Sequence, residues 1–108
     1  MTLRQADLGT ATLNAIGELR SSSITAIQWS TAVTWAGRAI ASFQLFEEAG
    51  DLSRLLDAED YMHEALEHAA LTGDESLLRT LAGPMTTARD RAHALARTLA
   101  SAGHLSFG

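Results

Sequence analysis

The chain has no cysteine, no lysine and a single proline. Without cysteine, disulfides, thiolate metal sites and cysteine nucleophiles all drop out together. Eight cations, every one an arginine, stand against thirteen acids, giving a formal charge of -5. The clustered positive charge that grips a phosphate backbone is therefore missing, and nucleic acid is not an expected partner. Aromatic residues number only six, and runs of β-branched residues are few, which argues against a sheet. No run of about 18 consecutive apolar residues exists to span a membrane. The opening "MTLRQADLGT" also lacks the apolar centre of a secretory leader. These absences lead to the expectation of a soluble, cytoplasmic chain.

What remains is rich in alanine and leucine, with 46% hydrophobic residues over 108 positions. Both residues favour helix, and the length suits one modest core, so a single all-α domain over 1–108 is expected. Leu3, Leu8, Ala11, Ala15 and Leu19 recur at helical spacing and predict a first helix over about 3–20, ended by "RSSS". A second helix is predicted over 23–49. Between Ser21 and Phe46 its only charged residue is Arg38. At about 100° per residue, Trp29, Ala32, Val33, Trp35, Ala36, Ala39, Ile40, Phe43 and Phe46 gather on one broad face. Ser30, Thr34, Gly37, Ala41 and Ser42 form a small, weakly polar back.

Gly50-Asp51 and Gly73-Asp74 each read as a helix stop followed by an N-cap, which bounds a third helix at 52–72. The fourth is expected to break or kink at Gly83-Pro84, because proline lacks the amide donor and crowds the preceding turn. Its two pieces would be 75–82 and 84–102, with residues 103–108 a frayed tail or one docked by Leu105 and Phe107. The predicted architecture is a small four-helix bundle or a stack of helical hairpins.

The densest chemistry lies in "EDYMHEALEH", residues 59–68, with four acids and two histidines. Two Asp-x-x-His pairs, Asp60 with His63 and Asp90 with His93, match the ligand types of carboxylate-bridged bundle metal sites. Their helical phase does not match. Leu55, Ala58, Met62, Ala65, Leu66 and Ala69 form the apolar face, while Asp57, Asp60, Glu64 and Glu67 stand nearly opposite, pointing away from any bundle interior. Asp90 is likewise opposite Ala88, Ala92, Leu95 and Leu99. No metal or cofactor is expected within one chain. Ligands drawn from His63, His93, Asp60 and Asp90 across a dimer interface form the alternative. Glu59 and His63 sit at the edge of the core, where an i to i+4 pair could hydrogen-bond. No nucleophile elbow, phosphate-cradling glycine loop or His-Glu-x-x-His occurs, so no catalytic residue is assigned.

Residues 47–67 hold eight acids against one arginine, whereas residues 79–97 hold four arginines against one aspartate. The third and fourth helices are thus expected to pack antiparallel with ion pairs along their seam. The Gly50-Asp51 turn followed by "AEDYMHEAL" resembles the second half of a tetratricopeptide unit over about residues 36–70. There, small residues, here Ala58 and Ala65, let two helices of a hairpin approach. Three extra residues follow the turn and the closing proline is absent, so the resemblance implies hairpin packing. Trp35-Ala36-Gly37 is similar to the Trp-x-Gly signature of small secreted helical-hairpin proteins, where it forms the turn. Here it falls within a continuous helical pattern.

The functional expectation is a noncatalytic protein-interaction module, an adaptor, chaperone or inhibitor-like partner that also self-associates. Asp57, Asp60, Glu64 and Glu67 would face a basic partner, and Trp29, Trp35 and Arg38 would provide a second contact surface on the second helix. Besides the metal-binding alternative, a structural subunit of a larger assembly would use the same wide apolar helix.

Overall fold

A computed structural model describes residues 5–103 of the chain, with side chains from Ile24 onward. All of the regular structure among these residues is helical, in the order α1 (Gln5–Ala49), α2 (Leu52–Leu71) and α3 (Glu75–Ala102). The apolar positions given for the first predicted helix, and the tail residues Leu105 and Phe107, lie outside the described side chains. No helix among the described residues is long and apolar enough to cross a membrane.

The turns follow from glycine and aspartate. Gly50 and Gly73 sit at φ 68° and 72°, a left-handed conformation that a β-carbon would crowd by about 1–2 kcal/mol. Asp51 and Asp74 then cap the next helices, accepting from the Ser53 amide at 2.9 Å and the Leu77 amide at 3.0 Å. Each cap satisfies an amide that has no carbonyl partner in the first turn. Gly103, at φ 74°, closes α3.

Two expectations are corrected. The predicted first and second helices are one helix of 45 residues, unbroken through Ser21–Ser23. Serine is a weak helix former rather than a breaker, and neither glycine nor proline stands at that point. The expected break at Gly83-Pro84 is also absent, since α3 runs through both residues for 28 positions. Leu77, Met85 and Ala92 are buried on either side of the proline, and their packing keeps the helix continuous. Thr80 and Pro84 lie on the exposed side, where solvent can reach the Thr80 carbonyl that loses its amide partner. Three helices therefore replace the predicted four, while the all-α class stands.

The core lies where α1 and α2 cross as an antiparallel hairpin. Ala32, Ala36, Ala39, Phe43 and Phe46 from α1 meet Leu55, Ala58, Met62, Ala65 and Ala69 from α2, all of them buried. Six of these ten are alanine, small enough for two helices to pack closely, and the two phenylalanines share the core with Met85 of α3. This is the packing that the tetratricopeptide-like pattern implied. Trp35-Ala36-Gly37 stays inside α1, and nothing lies within 4 Å of the place a Gly37 β-carbon would occupy.

α1 outruns its partners. At 1.5 Å per residue it spans about 67 Å, against about 30 Å for α2. His68, near the end of α2, reaches Gln28 of α1 at 2.7 Å. Some 23 residues of α1 precede that level. The molecule measures 78 × 23 × 15 Å, with a radius of gyration of 21.2 Å, compared with about 13 Å for a compact domain of this length.

Candidate partner-binding surfaces

The acidic stripe of α2 is a consequence of its core face. With Leu55, Ala58, Met62, Ala65 and Ala69 turned inward, helical phase sends Asp57, Asp60, Glu64 and Glu67 outward. Asp60 and Glu67 are exposed, and Asp57 and Glu64 are half-buried. Glu67 has His63 one turn away at 3.7 Å, and Glu64 has His68 at 3.6 Å. Among the described residues Asp57 and Asp60 form no ion pair, and Arg54 stands one turn before Asp57 on the same helix.

The expected ladder of ion pairs between α2 and α3 is reduced to one rung, Glu59 with His93. Glu59 thus turns to α3 rather than to His63. Arg91 crosses instead to Glu47 of α1 at 3.0 Å. Arg79 and Arg89 stay on their own helix, beside Glu75 at 3.7 Å and Asp90 at 3.9 Å. The cause is phase, because the acids that make α2 negative point away from α3. Charge complementarity between two helices in sequence does not require that the charges meet in space.

No three of the histidine, aspartate and glutamate side chains among the described residues lie together in a way that could hold a metal ion. His63, His93, Asp60 and Asp90 are therefore not one cluster within the chain. His93 is engaged by Glu59, and Asp90 lies beside Arg89.

The aromatic residues of α1 divide between two environments. Trp35 is half-buried against Tyr61 of α2, with ring centroids 5.5 Å apart and planes at 36°. The Arg38 guanidinium carbon lies 4.9 Å from the Trp35 ring centre, a cation–π contact worth about 0.5–1 kcal/mol at an exposed site. Trp29, by contrast, stands 47% exposed near Ile24 at 60%, Ile27 at 64% and Val33 at 38%. The predicted apolar front of this helix is thus covered at Ala32, Ala36, Ala39, Phe43 and Phe46, half-buried at Trp35 and Ile40, and bare at Trp29 and Val33. Its predicted back is exposed at Ser30, Thr34, Gly37 and Ala41, whereas Ser42 is buried.

One polar contact escaped the sequence reading. His68 joins Gln28 across the hairpin through Nδ1 and reaches toward Glu64 through Nε2. Forty residues separate the pair, and only the register of the hairpin brings them together. Beyond them, at the tip between α2 and α3, Ala69, Ala70, Gly73, Asp74, Glu75 and Leu78 line an open cleft of about 250 Å³.

Fold and surface define a class, a three-helix protein built on a hairpin with one overlong helix that exposes Ile24, Ile27, Trp29 and Val33 in an uncharged stretch. Against known proteins, no family model, no curated protein and no solved structure matches the chain.

Proposed function

We propose that this chain is a noncatalytic protein-interaction module that self-associates through α1 and offers the acidic stripe of α2 to a basic partner. The observation that carries the reading is the stretch of α1 at Ile24, Ile27, Trp29 and Val33. Four large apolar side chains stand open to solvent there in a segment with no charge between Ser21 and Gly37. Exposed apolar side chains gathered in one short stretch of helix mark a segment meant to be covered. Trp29 supplies the side-chain type most enriched at binding hot spots. Trp35 and Arg38, stacked beside Tyr61, extend the contact surface toward the hairpin.

Asp57 and Asp60, which form no ion pair among the described residues, would steer a basic partner by long-range attraction. Such binding weakens as salt rises. Native mass spectrometry of protein purified without added metal tests the core of the reading, with the denatured mass as reference. A metal-free mass of two or more copies is the expected result. A mass excess matching one or two metal ions per dimer, lost on denaturation, would move the assignment to a metal centre drawn from both copies, with His63 and His93 the first residues to replace.

A further inference from the structure

We propose that the first half of α1, residues 5–27, docks as a fourth helix on the three-helix end of a second copy. The two α1 helices would run antiparallel about a two-fold axis near Gln28. This rests on the self-association reading above and names its partner and geometry.

Length is the first argument. The His68–Gln28 contact marks where α2 ends along α1, and it divides α1 (Gln5–Ala49) into 23 residues before Gln28 and 22 from Gln28 onward. Each half spans about 33–35 Å at 1.5 Å per residue. In an antiparallel pair centred at the division, the free half of one copy lies along the bundled half of the other with neither overhang nor gap. The two hairpin tips then abut, and a three-helix protein becomes two four-helix ends joined by shared helices.

Area is the second. The chain exposes 7250 Å², whereas a compact monomer of 11.5 kDa would expose about 5,800 Å². The surplus, about 1,450 Å² per copy, reflects the elongated shape and leaves room for the roughly 800 Å² that each partner contributes to a standard interface.

Charge and phase are the third. The segment from Ser21 to Gly37 carries no charge, so two identical copies of a chain with net charge -5 can meet there without like-charge repulsion. On the helical wheel Ile24 flanks the buried line of α1 on one side and Trp29, with Val33 beyond it, flanks the other, while Ile27 lies nearly opposite that line. One added helix covers a single flank. A groove between two helices of a second bundle is wide enough for both, and Leu71, 65% exposed beside the tip cleft, would meet the same contact.

The test combines mass with distance on the full chain. Sedimentation equilibrium should give a dimer for the native sequence and a monomer for the double variant Ile27→Glu, Trp29→Glu, whose substitutions fall on exposed positions and place four charges near the axis. The absence of native cysteine allows single nitroxide labels at Thr34→Cys or Thr87→Cys. Dipolar spectroscopy should then read about 20 Å between Thr34 labels and about 45 Å between Thr87 labels, from helical rise along antiparallel axes. A dimer with Thr87 labels closer than Thr34 labels, or one untouched by the double variant, would overturn this arrangement and leave self-association standing. A monomer at every concentration would overturn both and leave only the acidic stripe and a different partner.

Discussion

At the scale of single residues, the two glycine classes of this chain have opposite roles. Gly73 turns the chain at φ 72°, while Gly37 lies mid-helix with open space where a β-carbon would stand. Gly73→Ala is expected to lower stability by about 1–2 kcal/mol, because the left-handed conformation is strained for any L side chain. Gly37→Ala is expected to raise it by about 0.5–1 kcal/mol through helix propensity. Urea unfolding of both variants checks the pair, and equal signs would show that one backbone assignment is wrong. Asp74 belongs to the same scale. Its carboxylate holds the Leu77 amide at 3.0 Å, so Asp74→Ala should cost about 1 kcal/mol.

At the scale of elements, the hairpin depends on small residues meeting large ones. Ala65 is fully buried where α2 faces α1, and Ala65→Leu should cost about 1–3 kcal/mol by forcing the axes apart. Phe43→Ala, at a side chain with no exposure, should cost about 3–5 kcal/mol. Thermal unfolding followed by circular dichroism ranks the two. Much of this was legible in the sequence. The starts at residues 52 and 75, the stop of α1 at Ala49 and the inward face of α2 followed from glycine, aspartate and helical phase. The Ser21–Ser23 and Gly83-Pro84 expectations failed for one shared reason. Both judged a helix by local propensity, whereas an apolar face maintained across the weak point decides the matter in α3, and in α1 no strong breaker is present. The α2–α3 ion pairs failed differently, because net charge per helix says nothing about which side of it the charge is on. His68–Gln28 needed the register of the hairpin, which no single segment encodes.

At the scale of the whole molecule, elongation and charge separate two kinds of surface. Residues 21–37 of α1 carry no charge, while Asp57, Asp60, Glu64 and Glu67 gather four acidic side chains on α2. Self-association through the first should therefore persist or strengthen as sodium chloride is raised, whereas binding of a basic partner to the second should weaken. Sedimentation across a salt series checks the first half of that statement, and a dimer that dissociates at high salt would contradict it. The two short connections, Gly50-Asp51 and residues 72–74, have a consequence of a different kind. Nearly every contact in the α1–α2 hairpin joins residues on either side of one tight turn, so little loop-closure entropy opposes its formation. The hairpin is expected to assemble first and on the fast timescale of helical proteins. α3 would then dock onto a surface already formed, and the Arg91–Glu47 pair, between the helices most distant in sequence, would close last.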